Sequence, residues 1–339
     1  MLIFYSISVF WAENRYYAIQ YFIYLFFGLS IIYYSLTFIS NQKILGVVVK
    51  TLGVVFLIEL ILCLLESFTE FRYPISPYSD YISLFSYEYK IDPLLSSDIK
   101  DKILSYPTGF HWNPNNLATY FAIILPFLLF NKSTYIKWCG SILTIIIIYN
   151  SGSRGVLISA IIILLYYFIT NLKVKYVLIG VIFFMSTFFL PKQVLKIDTI
   201  KNKVYGSTNA VYSLIFESKD VDNSIGARQK LMKNAYQALN NVHWLGVGGG
   251  NSKHIQEKRG KVAGKLTSLH NFWLEILVDA GIFFFIGFIA WYFMIIKKLN
   301  ELERSKSAII SYLAQSSKLS MLGVVISAVS CSSIIFFFP

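Results

Sequence analysis

Five short stretches of this 339-residue chain carry side chains suited to chemistry. In Asn150-Ser-Gly-Ser-Arg154-Gly155, between two apolar runs, Arg154 is the lone charge. A guanidinium at such a junction is costly unless it meets an anion or a water-filled cavity. Its planar fork suits phosphate, with Ser153 beside it and Gly152 and Gly155 allowing close backbone approach. Snorkelling to lipid headgroups is the alternative. Arg228 follows Gly226-Ala at the start of a helix-patterned stretch, where the helix dipole prefers an anion. A shared anionic ligand would resolve that conflict, and a solvated loop charge is the other reading. Trp244-Leu-Gly246-Val-Gly248-Gly249-Gly250 is either a nest of backbone N–H groups for an anion or a plain flexible turn. It follows no strand of a βαβ unit, so it is not a dinucleotide fingerprint. His270-Asn271 opens a long apolar run, with Thr267 and Ser268 as capping residues just ahead. The positive helix end favours neutral imidazole, so His270 suits a general base. Glu275 and Asp279 follow at i,i+4, either as functional carboxylates near an apolar core or as packing partners for arginines. Gly109-Phe-His-Trp112-Asn-Pro-Asn115-Asn116 combines an aromatic that suits either the interfacial belt or a sugar ring with turn chemistry at Asn-Pro-Asn. His111, His243 and His254 read as looser loop residues.

The elements that must position these residues are membrane helices. The chain is 56% hydrophobic and 17% aromatic but only 14% charged. A soluble domain carries roughly a quarter charged residues, so a soluble enzyme, a disordered chain and a disulfide scaffold are excluded. Cys63, Cys139 and Cys331 each sit in an apolar run and read as packing residues. The fold class is all-α, a polytopic transmembrane bundle. A span needs about 20 apolar residues, and eight stretches qualify: 18–39, 44–65, 116–130, 136–149, 156–170, 176–190, 272–296 and 319–338. Residues 1–11 are too short to span and resemble the outer end of a helix whose start is missing. Three regions follow: helices over 1–190 with an outer loop at 66–115, a large extracytoplasmic loop at 191–269, and C-terminal helices over 270–339.

Sidedness comes from the short loops. Lys43, Lys132, Lys137, Lys173, Lys175, Lys297, Lys298, Arg304, Lys306 and Lys318 fall in one alternate set, opposed by Glu301 and Glu303, so that set is cytoplasmic. Residues 66–115 hold four basic and seven acidic side chains. The net charge of +12 therefore reflects inner loops and anionic ligands or lipids, with no nucleic acid implied. Within the large loop, Leu231, Ala235, Ala238 and Leu239 recur at helical spacing, predicting an amphipathic helix over 227–239 at the membrane surface.

In this order the motifs resemble the O-antigen ligase and polysaccharide polymerase superfamily of bacterial envelopes. The matching parts are Gly109-Phe-His-Trp-Asn-Pro-Asn-Asn-Leu-Ala, Ser151-Gly-Ser-Arg-Gly, Gly226-Ala-Arg, Leu245-Gly-Val-Gly and His270-Asn-Phe-Trp-Leu-Glu-Ile-Leu-Val-Asp-Ala-Gly. The resemblance implies a glycosyltransferase of the bacterial cytoplasmic membrane. Its donor would be an undecaprenyl-diphosphate-linked glycan, and its acceptor a glycan or lipid outside the membrane. Arg154 and Arg228 match the arginines that hold the diphosphate, and His270 matches the histidine that activates the acceptor. Ser153, Gly246, Gly248, Asn271, Glu275, Asp279, Trp112 and Asn115 stand as supporting residues. No cofactor and no metal is implied. A capsular or O-antigen-type polymerase is the leading expectation, with ligase-type transfer to a lipid or cell-wall acceptor as the alternative. A transporter or flippase of a lipid-linked glycan is a second alternative, weakened by the lack of an internal repeat. Partners would include membrane lipid and an envelope glycan assembly complex.

Overall fold

The computed structural model describes residues 2–85, 103–171, 223–258 and 268–331, with the side chains of 223–227 left out. Among these residues the structure is all-helical. The helices are α1 (Leu2–Ser8), α2 (Arg15–Phe38), α3 (Gln42–Phe68), α4 (Pro114–Leu129), α5 (Ser141–Asn150), α6 (Arg154–Asn171), α7 (Asn223–Asn241), α8 (Asn251–Lys258), α9 (Phe272–Leu302) and α10 (Ala308–Ser327). One π turn, Ile136–Gly140, leads into α5. Asparagines start the helices: Asn14 accepts from Tyr17 N, Asn41 from Ile44 N, Asn113 from Asn115 N and Asn271 from Leu274 N, at 2.8–3.2 Å. Each satisfies an N–H that a helix start leaves without an intrahelical partner.

Five helices, α2, α3, α6, α9 and α10, are long and apolar enough to cross a membrane. The chain is a multi-pass helical membrane protein. α4 is shorter because it is the core: Leu117, Phe121, Leu125 and Leu129 are wholly buried against α3, α5, α6 and α10. The predicted spans at 116–130 and 136–149 correspond to α4 and to the π turn with α5. The span at 176–190 lies outside the described residues. α2 and α3 remain mostly exposed along their lengths, as lipid-facing helices should.

Lipid gives helices little hydrophobic reason to associate, so close approach and hydrogen bonds must hold the bundle. α10 supplies both. Pro126 interrupts the backbone ladder of α4, and α10 hydroxyls meet the carbonyls around it. Tyr312 donates to Phe127 O at 2.7 Å, Ser316 to Pro126 O at 3.5 Å and Ser320 to Ile123 O at 2.5 Å. Ser159 of α6 donates to Gly323 O at 2.7 Å. That stripe corrects the last predicted span. The helix begins at Ala308 rather than 319 and ends at Ser327, because polar residues that resemble a loop are spent on α4. Lys318, assigned to a loop, is therefore inside α10 and ion-paired with Glu303.

α2 to α6 alternate in direction, as do α9 and α10. The described parts of the α3–α4 connection (69–85 and 103–113), the α5–α6 turn, α7, α8, the start of α9 and the end of α10 collect at one end, called here the polar end. The turns at 39–41, 130–135 and 303–307 form the opposite end. α1 packs at the polar end, with Tyr5 against Tyr21 and Phe284. α9 is not one straight rod. At Gly281 its backbone reaches φ 81°, and two helical pieces meet across a kink.

Candidate functional site

The Ser-Gly-Ser-Arg turn links α5 to α6 at the polar end. Gly152 adopts φ +71°, a left-handed conformation that favours glycine, and Arg154 is the first residue of α6. The turn rests on the end of α10, where Ser153 Oγ and Ser330 Oγ lie 3.3 Å apart. A Cβ on Gly155 would come within 2.9 Å of Ser330 Cβ. The same α10 end holds the start of α9. Phe272 N donates to Ala328 O at 2.9 Å, and Trp273 Nε1 to Val325 O at 3.0 Å. Thus one short segment, Val325–Ser330, lies between the Arg154 turn and the His270-Asn271 junction.

The capping assignment at that junction changes. Asn271, not Thr267 or Ser268, caps α9, and Ser268 Oγ accepts from His270 N at 3.4 Å. Thr267 lies outside the described residues. His270 sits half-buried at φ +48°, uncommon for a side-chain-bearing residue. Glu275 is buried in the first turn of α9.

α7 brings in Arg228. The helix starts at Asn223, so Arg228 lies in its second turn rather than at its N-terminus. The apolar face is as expected, but its partner is not. Leu231, Ala235, Ala238 and Leu239 are buried against Leu274 and Val278 of α9, Ile255 of α8 and Val247, not against a membrane surface. Burial, and then the charge of Arg154, hold the Arg228 guanidinium below its ordinary proton affinity. The two arginines therefore share one electrostatic neighbourhood at the polar end.

The glycine loop is a nest whose anion is already present. Gly250 N and Ser252 N donate to the two Asp279 carboxylate oxygens at 2.9 and 2.8 Å. Val247 N and Gly248 N donate to the backbone oxygens of Val278 and Asp279, and Gly249 N to Ser8 Oγ. The N–H groups of Val247, Gly248, Gly249, Gly250 and Ser252 are thus engaged within the protein. Gly246 has φ +92°, and a Cβ there would lie 2.6 Å from Gly281 N. The kink in α9 and the loop fit each other backbone to backbone.

Trp112 and Asn115 stand at the head of α4, Trp112 half-buried and Asn115 N held by the Asn113 cap at 2.8 Å. His111 is not a loose loop residue. It is 8% exposed, with Nε2 3.3 Å from Glu59 Oε1, and burial pushes it down to about 4. Glu59 is buried in α3, and its Oε1 accepts from Phe110 N at 3.4 Å. His243 is exposed, and His254 lies 3.4 Å from Asn14 Nδ2.

Sequence reading passed over Glu66 and Tyr106. Glu66 is fully buried, with one carboxylate oxygen accepting from Thr108 N and Gly109 N at 2.7 and 2.8 Å and the other from Tyr73 N at 2.9 Å. The available signal was Glu59, Cys63 and Glu66 on one face of an apolar helix. Among the described residues, no group of three or more His, Cys, Asp or Glu could hold a metal ion.

Residues 139–291 match the family model described as O-antigen ligase. Over that region the chain is similar to the O-antigen ligase family. Comparison with curated proteins gave no match. The O-antigen ligase region contains Arg154, Arg228, His270, Glu275 and Asp279, while Glu59, Glu66, Tyr106, His111 and Trp112 precede it. The matched region thus covers the two arginines and the histidine. α3, α4 and their connection are supplied from outside the matched region.

Proposed function

We propose that this protein transfers a glycan from an undecaprenyl-diphosphate carrier to an acceptor hydroxyl at the polar end of the bundle. The observation that carries the reading is the Arg154–Arg228 neighbourhood, two guanidiniums that repel each other at a part-buried site. A diphosphate between them would convert that repulsion into charge-assisted hydrogen bonds. The match of residues 139–291 to the O-antigen ligase family model supports the ligase or polymerase class of chemistry.

In this mechanism the acceptor oxygen attacks the anomeric carbon and forms the new glycosidic bond. The bond from that carbon to the diphosphate breaks, and its electron pair leaves with the phosphate oxygen. Arg154 and Arg228 stabilise the charge that accumulates there. His270 takes the acceptor's proton. Glu275, buried one turn into α9, supports the histidine side of the site. Lys43, Lys132, Lys137, Lys297, Lys298, Arg304 and Lys306 cluster at or near the opposite end, which on the positive-inside rule is cytoplasmic and leaves the polar end outside.

The test is transfer by purified protein from a lipid-diphosphate-linked glycan. Wild type should give product, and Arg154→Ala and Arg228→Ala should give none. A ladder of lengthening carrier-linked chains would identify the capsular or O-antigen-type polymerase form. A single transfer to a lipid or cell-wall acceptor would identify the ligase form. Movement of intact donor across the membrane without transfer would favour the flippase alternative.

A further inference from the structure

The connection between α3 and α4 places a residue, outside the matched O-antigen ligase region, against the turn that carries Arg154. Tyr106 is half-buried and covers Gly152. A Cβ on Gly152 would lie 2.9 Å from Tyr106 Cε1, 3.2 Å from Cζ and 3.4 Å from the phenol oxygen. The hydroxyl end of the side chain, rather than its root, therefore rests on the turn that carries Arg154. No side chain larger than glycine's fits beneath it without moving the ring.

The backbone that carries Tyr106 is firmly held. Two and three residues further on, Thr108 N and Gly109 N both donate to the buried Glu66 carboxylate. Thr108 Oγ1 also lies 2.7 Å from Ser76 Oγ, and His111 N donates to Thr108 O at 2.8 Å. A fully buried carboxylate is costly unless its oxygens are satisfied. Here it is satisfied by the connection itself, which fixes the stretch just after Tyr106 relative to α3.

A third arginine or a lysine at this position would add to the repulsion between Arg154 and Arg228. A phenol supplies an O–H donor with no charge. We propose that Tyr106 is a third residue of the donor site, donating its phenol hydrogen bond to the lipid-linked diphosphate held by Arg154 and Arg228. This rests on the function proposed above and deepens it. The residue acts on binding of the diphosphate, whatever glycan is attached.

The probe is undecaprenyl diphosphate without a glycan, bound to the purified full chain in nanodiscs of zwitterionic lipid. Tyr106→Phe keeps the ring over Gly152 and removes only the hydroxyl. It should weaken binding roughly 10- to 100-fold, the range for losing a hydrogen bond to a charged group. Arg154→Ala is measured alongside. If Arg154→Ala weakens binding and Tyr106→Phe binds as wild type, the Tyr106 assignment is overturned while the arginine clamp stands. If Arg154→Ala also binds as wild type, the diphosphate reading itself fails, and the Tyr106 assignment with it.

Discussion

Arg154 and Arg228 sit on different helices, yet Arg228, whose proton affinity is lowered first by burial, is lowered further by the charge of Arg154. Proximity of like charges at a part-buried position destabilises the empty site and favours an anion. Inorganic pyrophosphate should therefore raise the melting temperature of wild-type protein in detergent, by mass action on the folded state. Arg228→Ala should abolish that rise. Arg154→Lys should reduce it, because a point charge does not copy a bidentate fork. An equal rise in all three proteins would remove the arginines from anion binding.

His270 follows the half-buried loop into α9, and its role separates from that of the arginines. His270→Ala should lower transfer about 10²- to 10⁴-fold, the usual contribution of a general base. Donor binding should persist. Lost donor binding would make His270 a phosphate ligand instead, and undiminished transfer would end the base assignment. His243→Ala and His254→Ala should retain most activity.

Asp279 joins the glycine loop and α8 to α9. Asp279→Ala leaves the N–H groups of Gly250 and Ser252 without their acceptors. Each buried unsatisfied donor costs about 1–3 kcal/mol, so thermal stability should fall strongly. Asp279→Asn retains one acceptor oxygen and should fall less. Equal stability in both variants would show that the loop holds itself.

His111 gives the fold a pH dependence. Burial lowers it from 6.5 to about 4, while Glu59 and Tyr120 face it from α3 and α4. Between those values the unfolded chain binds a proton that the folded chain does not, so stability is lost as pH falls through that window. The melting temperature of wild type should drop between pH 6.5 and about 4.5. His111→Gln should flatten part of that drop. Identical pH profiles would assign the loss to other groups.

α7 and the turn at 303–307 lie at opposite ends of the bundle. A cysteine probe at Asn241 should react with an impermeant reagent added outside intact cells, and one at Ser307 should not. The reverse result would place the polar end inside and contradict transfer outside the membrane.

The helical class and most span positions were legible because long apolar runs have few other outcomes. The resemblance read from the motifs between Ser151 and Gly281 agrees with the family match at 139–291. The neighbours of those motifs were not legible. α10 was misplaced because Gln315, Ser316, Ser317 and Lys318 look like loop residues until the hydrogen bonds of Tyr312 and Ser316 to α4 explain them. The glycine loop stayed open between an anion nest and a plain turn because nothing local reveals that Asp279 arrives from another helix. The face of α7 was legible from its period, but period does not say whether lipid or protein covers it. Tyr106 carried no local signature, and Glu66 showed only its place beside Glu59 and Cys63 on one face of α3, since the partners of both lie far away in sequence.

The kink at Gly281 also bears on how such proteins can be recombined. The first turns of α9 are bonded to the glycine loop through Val278 and Asp279, whereas the helix beyond Gly281 runs on to Leu302 in the bundle. Chimaeras that exchange the loop region between relatives should be joined at Gly281. A seam at His270 would pair one parent's loop with the other parent's Asp279 and Gly281, two surfaces shaped to a tolerance smaller than a methyl group.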